Sequence, residues 1–232
     1  MSRIPLRQRD GDPERVPGPS RDGLRSASRA RSTRLRLLKL AIGVAALVPA
    51  ALAGWRFYAG ALGPNPIAEA LNRLGFWTLT LLLATLACTP IKVVTGWAFP
   101  LRLRRMLGLE AFAYACLHFV VYFAVDQFFD FGEIWKDILK RKFITVGFVA
   151  FVMLIPLAVT STNGMVKRLG FPRWKRLHRL IYLSAACGVI HFAWRVKSDL
   201  RQPLLFAFVL AVLLIVRVVD QARRARPHPR AG

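Results

Sequence analysis

Three histidines carry the chemistry that this sequence offers. His178 and His191 share one apolar stretch with a basic edge, Trp174 to Arg195, and His118 lies in another, about Met106 to Val125. Imidazole is a common metal ligand and a proton carrier. An ionisable or metal-binding group is costly inside a bilayer, so a histidine kept there points to function. The fourth histidine, His228, sits between prolines in the C-terminal tail and reads as solvated.

Depth sorts the three. His178 and His191 are 13 residues apart, about 19–20 Å along a helix at ~1.5 Å per residue. That is most of a hydrocarbon core roughly 30 Å thick, so the two lie near opposite faces. His118 falls 12 residues after Met106, while His178 and His191 fall four and 17 residues after Trp174. Both stretches cross in the same direction, and His118 therefore matches His191 in depth better than His178. Small residues precede both members of that pair: Ser184, Cys187 and Gly188 before His191, and Ala111, Ala113, Ala115 and Cys116 before His118. They leave room beside the helices for a planar cofactor. A bis-histidine haem held by His118 and His191 is the expectation.

His178 stands apart. On an ideal helix it lies ~140° round from His191, so either the helix is distorted, near Gly188 for example, or His178 faces something else. It sits among Arg173, Lys175, Arg176 and Arg179. A second haem, a quinone or flavin contact, and a structural role stay open for it. Cys88, Cys116 and Cys187 form no CxxCH or CxxC motif, so any haem is held without a covalent link.

The elements that position these residues are membrane spans. The chain is 55% hydrophobic over 232 residues, and its long apolar runs predict an all-α, polytopic membrane helix bundle. Six transmembrane helices are expected, at about Leu37–Trp55, Gly75–Thr95, Met106–Val125, Phe143–Thr160, Trp174–Trp194 and Pro203–Val219. Residues 1–35 read as a disordered basic N-terminal tail, 36–220 as the transmembrane domain and 221–232 as a basic C-terminal tail. The tail lacks the apolar core of a secretory signal peptide.

The net charge of +23 does not mark a nucleic-acid binder, because its placement follows the membrane. With six spans, 26 of the 35 Lys and Arg fall on the side of the termini and nine on the other. The positive-inside rule then puts both termini in the cytoplasm. Asp126, Asp130, Glu133 and Asp137 gather in the loop after the third span, on the outer side, and read as a docking surface for an external partner. Glu110 is expected to pair with Arg104 or Arg105. The polar run Thr160–Arg168 is placed to close a pocket on the cytoplasmic side.

The run Arg105-Met-Leu-Gly-Leu leading to His118, then Thr160-Ser-Thr-Asn-Gly, Arg168-Leu-Gly, Trp174-Lys-Arg-Leu-His-Arg-Leu-Ile-Tyr and His191, resembles the MsrQ (YedZ) family. That family lies within the ferric reductase-like transmembrane superfamily, and the likeness covers about Leu37 to Val219. It implies a subunit of the bacterial inner membrane that passes electrons from the quinol pool through haem b. The acceptor it implies is a periplasmic, molybdopterin-containing methionine sulfoxide reductase subunit, which repairs oxidised proteins. FMN is also associated with the family. The resemblance makes His118, His178 and His191 the haem-linked positions. The wider superfamily has a second histidine on the third span, 13–14 residues before His118; here Arg105 and Arg104 stand there, which argues against a second bis-histidine haem. No GxGxxG follows the last span, so the reductase chemistry belongs to separate partners. Two other functions stand beside this one: a ferric-chelate or metal reductase of the same superfamily, and a cofactor-free transporter or scaffold.

Overall fold

The computed structural model describes residues 21–196 and 199–225, and among these every regular element is helical. Residues 1–20 and 226–232, the outer parts of both expected tails, lie outside the described residues. The helices are α1 (Arg21–Tyr58), α2 (Pro66–Thr95), α3 (Arg104–Val120), α4 (Phe131–Lys140), α5 (Lys142–Val159), α6 (Asn163–Leu169), α7 (Phe171–Leu177), α8 (Leu180–Arg195) and α9 (Arg201–Ala225). A short 3-10 turn, Phe99–Arg102, precedes α3, and a π-helical segment, Val121–Asp126, continues it. The chain forms two compact units, Met1–Ala41 and Ile42–Gly232.

Five helical stretches are long and apolar enough to cross a bilayer: Thr33–Tyr58, Pro66–Thr95, Arg104–Asp126, Lys142–Val159 and Arg201–Ala225. The expected stretch from Trp174 onward differs. It is divided into α7 and the 16-residue α8, and α8 alone spans only ~24 Å at ~1.5 Å per residue. The tail differs too: instead of being disordered to residue 35, the chain is helical from Arg21. No proline lies between Pro19 and Pro49, so nothing stops the helix of the first apolar run from extending back through Arg, Ala and Leu, all good helix formers.

Local chemistry sets the ends. The Asn65 side chain accepts a hydrogen bond from the Ala68 amide at 3.1 Å and Pro66 opens α2, the preferred arrangement for a first turn. Gly96 closes α2 with φ 73°, a left-handed conformation that only glycine adopts freely. Asp130 caps α4 and Thr162 caps α6 through their side-chain oxygens.

Two helix pairs build the core. The most extensive packing joins α2 to α3 and α5 to α8, while α9 lies against α2 and α8. Leu79, Leu82, Leu83 and Leu86 of α2 meet Ala111 and Tyr114 of α3 and Ile181 and Ala185 of α8. Arg217 fastens α9 to both neighbours. Its guanidinium donates to the Tyr182 hydroxyl at 2.8 Å and to the Leu86 carbonyl, and lies 5.3 Å from the centre of the Tyr182 ring.

Tyr114 fixes α1 in an unusual way. Its hydroxyl accepts from the Ala50 amide at 3.0 Å and donates to the Ala46 carbonyl at 2.5 Å. It is thus inserted into a rung of the α1 ladder, one of the known causes of helix bending. Pro49, the neighbouring residue, already removes the next rung.

Candidate haem site

His118 projects from α3 and His191 from α8, and their ring centres are 6.2 Å apart with planes at 86°. Each ring is fastened to the partner helix of its own pair. His118 Nδ1 lies 3.0 Å from the Leu71 carbonyl of α2, and His191 Nδ1 lies 2.7 Å from the Phe143 carbonyl of α5. A carbonyl oxygen only accepts, so in both rings Nδ1 carries the proton and Nε2 keeps its lone pair. This is how metal-binding histidines are usually oriented.

The same device positions both rings. Gly75 stands four residues after Leu71, and Gly147 four after Phe143. In a helix the side chain at i+4 leans back over the carbonyl at i, and here there is none. A Cβ on Gly147 would lie 2.6 Å from His191 Nδ1 and 2.8 Å from its Cε1. One on Gly75 would lie 3.3 Å from His118 Cε1. Each glycine therefore uncovers a carbonyl and makes the space its histidine occupies.

Between the two helix pairs is a cavity of about 330 Å³ lined by both histidines and both glycines. Phe119, Phe148 and Phe151 give it apolar walls; Asn72, Tyr122, Arg141 and Arg195 bring polar groups to it. Asn72 Oδ1 is buried without a hydrogen-bond partner. Ser184 and Gly188 also line it, and Ser184 donates to the Ala150 carbonyl at 3.0 Å, joining α8 to α5.

This arrangement can hold a metal-centred group. Two imidazoles on opposite sides of one ion, each bound at about 2.0–2.1 Å, have ring centres ~6–6.5 Å apart. The observed 6.2 Å matches that spacing, and both Nε2 atoms are the free ones. Among the described residues no three His, Cys, Asp or Glu side chains cluster as a metal site, so the pair stands as a two-ligand site.

The comparisons with known proteins bear on what such a site serves. Residues 74–189 match the family model of the ferric reductase like transmembrane component. The chain is 54% identical over 193 residues to the protein-methionine-sulfoxide reductase heme-binding subunit MsrQ of Rhodospirillum rubrum, covering 83% of this chain and 93% of that one. It is 52% identical to the MsrQ of Herminiimonas arsenicoxydans, over 80% of this chain and 86% of that one. The chain belongs to the MsrQ family. Like other MsrQ proteins of this ferric reductase-like class, it is a multi-pass protein of the bacterial inner membrane.

His178, the third residue singled out in this MsrQ chain, lies elsewhere. It lines a separate cavity of about 300 Å³ with Arg104, Arg105, Ser161, Asn163 and Trp174. Among the described residues no other histidine, and no Cys, Met, Asp or Glu, lines that cavity. Its Nδ1 is 3.1 Å from the Trp174 carbonyl, its Nε2 is 3.5 Å from Ser161 Oγ, and its ring centre is 4.0 Å from that of Trp174. The Trp174 carbonyl also accepts from the His178 amide. Just beyond, the Arg179 and Tyr182 amides bond three residues back, to Arg176 and Arg179. Both alternatives for His178 therefore apply: the helix is distorted at Arg176–Tyr182 rather than near Gly188, and His178 faces a different cavity from His191.

The run beginning Thr160-Ser-Thr-Asn forms part of that second cavity. Arg105 Nη1 donates to Asn163 Oδ1 at 2.9 Å, and Trp174 Nε1 donates to the Thr160 carbonyl at 3.0 Å. Glu110 does not pair with Arg104 or Arg105. It points to Gly43 of α1, where a Cβ would be 3.2 Å from Oε1, and its Oε2 is buried without a partner.

Proposed function

We propose that this chain is the membrane electron-transfer subunit of a methionine sulfoxide reductase, in which His118 and His191 are the residues that would hold one b-type haem. The observation that carries this is the pair of imidazoles 6.2 Å apart, each with Nδ1 tied to a carbonyl and Nε2 free. The names of the relatives, which state haem binding, support the same reading. Haem bound there would supply a one-electron relay, its potential set by ligands, burial and nearby hydrogen bonds.

The chain's own residues do the rest. Leu71 and Phe143 fix the tautomer and orientation of the two rings, and Gly75 and Gly147 leave them space. The phenylalanines of the cavity exclude water. Arg195, four residues after His191, has no acidic partner within ion-pair distance among the described residues. It is the group we assign to a porphyrin carboxylate.

We assign electron uptake from the membrane quinol pool to the second cavity. His178 there has Nδ1–H directed at a carbonyl, and its Nε2 lies 3.5 Å from a Ser161 hydroxyl that donates to the Leu157 carbonyl instead, which leaves the Nε2 lone pair to accept a proton from a hydroquinone hydroxyl. The two cavities share Leu82 and Leu154 as wall residues, a short apolar partition for electrons to cross. Each quinol gives up two electrons and two protons. The acceptor is a separate periplasmic, molybdopterin-containing subunit, where two electrons and two protons turn a methionine sulfoxide into methionine and water. Counted over six crossings, the distribution of Lys and Arg supports an orientation with both termini in the cytoplasm. Trp174 and the two guanidiniums beside His178 also suit the ring and phosphate of FMN, the flavin the family resemblance implies.

The test is anaerobic mixing of the purified protein in lipid nanodiscs with a short-chain quinol, following the haem spectrum. The expected result is haem reduction that slows at least about tenfold in His178→Ala, with the spectrum of the reduced haem unchanged. Haem that dithionite reduces and no quinol does would rule out the quinol donor.

A further inference from the structure

The loop expected to be an acidic docking surface contains a helix, α4, whose ten residues sort into three sectors. At ~100° per residue, Phe131, Trp135 and Leu139 fall within about 80° of one another. They are 71%, 63% and 65% exposed. Ile134, Asp137 and Ile138 form the sector turned to the protein: Ile134 and Asp137 are buried, and Ile138 lines the His118–His191 cavity. Gly132, Glu133, Lys136 and Lys140 occupy the third sector, with Lys136 paired to Glu133 at 2.6 Å.

Position decides what the exposed apolar sector meets. One membrane-crossing stretch ends at Asp126 and the next begins at Lys142, so α4 lies at one face of the bilayer. Phe128 and Phe129 precede it with φ of 46° and 62°, strained for bulky side chains, and both are exposed. Phe129 and Phe131 rest edge-on against Phe123 at 5.2 and 5.4 Å. The apolar sector thus continues the surface of the spans, and Lys136, Lys140 and Lys142 stand beside it where phosphate groups lie. Large aromatic residues on one side and lysines on the next are the composition of a helix lying in a membrane interface.

We propose that α4 is an interfacial anchor whose Phe131, Trp135 and Leu139 enter the boundary between lipid headgroups and acyl chains. The occupant of this face is phospholipid. The inference rests on the membrane location of the chain and not on its cofactor. It has a consequence for the site, because α4 carries one wall of the cavity. Asp137 accepts an ion pair from Arg141 at 3.1 Å and a contact from the Tyr122 hydroxyl at 3.5 Å, and Arg141, Tyr122 and Ile138 all line that cavity. Lipid contact on one side of α4 fixes the wall on the other.

The experiment compares the full-length protein with its Trp135→Phe variant in vesicles of phosphatidylcholine and phosphatidylglycerol. The difference in tryptophan emission isolates Trp135. With bromine at the shallow 6,7-positions of the acyl chains, more than about half of that difference is expected to be lost, with little effect of aqueous iodide. Quenching by iodide and not by bromolipid would overturn the proposal, since the face would then be open to water and to a soluble partner. Protection from both quenchers would overturn it as well, showing that protein covers the face.

Discussion

At the residue scale, the site is one device used twice: a histidine on one helix, and on the next a carbonyl with a glycine four residues further on. The glycines make a sharp test. In an ordinary helix Gly→Ala is favourable by roughly 1 kcal/mol, so Gly147→Ala should leave the helix content of the purified protein unchanged by circular dichroism. The Cβ it adds would sit 2.6 Å from His191 Nδ1 and must displace the ring. Loss of an orienting contact of this kind typically costs 10–100-fold in affinity for the bound group, and haem content on titration should fall in that range. Gly75→Ala, with 3.3 Å to the ring, should have a smaller effect. The histidine pair was legible in the sequence because depth in a bilayer can be counted in residues. The glycines were not: each lies on a different helix from the histidine it serves, and glycine is common in membrane helices for ordinary packing.

At the scale of elements, apolar runs located five crossing helices, since length and hydropathy alone define a span. What they could not show is how a helix bends. The departure at Arg176–Tyr182 consists of the Arg179 and Tyr182 amides bonding three residues back, and no proline or glycine within it marks it in the sequence. The missed α4 and α6 have capping residues, Asp130 and Thr162, that look like turn residues in a loop. Sequence distance suggests a partner for Glu110 among the arginines of its own helix, whereas it faces Gly43 of α1. The Tyr114 hydroxyl, likewise, reaches a helix more than 60 residues away. Tyr114→Phe lets the Ala50 amide bond the Ala46 carbonyl directly, so the cost should be modest, about 0.5–1.5 kcal/mol. Thermal unfolding in detergent measures that cost. Slower amide exchange at Ala50 would show that the rung had closed.

At the scale of the whole molecule, the two helix pairs enclose two cavities with one partition, and α9 packs against α2 and α8 without lining either. Arg217 is the buried cation that locks α9 in place, with its Nε unpartnered. Its replacement by Met removes two hydrogen bonds between helices, and leaves Leu86 O and the Tyr182 hydroxyl without their donor. A loss of roughly 2–4 kcal/mol is expected, read as a fall in melting temperature with the spectrum of the remaining folded protein intact.

The central claim is that His118 and His191, and not His178, hold the haem. The most direct measurement is the reduced-minus-oxidised visible spectrum of the purified protein and of its His118→Ala, His191→Ala and His178→Ala variants. The account predicts a low-spin b-type signal in the natural sequence, lost on replacing His118 or His191 and kept on replacing His178. A signal that survives loss of His118 or His191, or that disappears with His178, would contradict it.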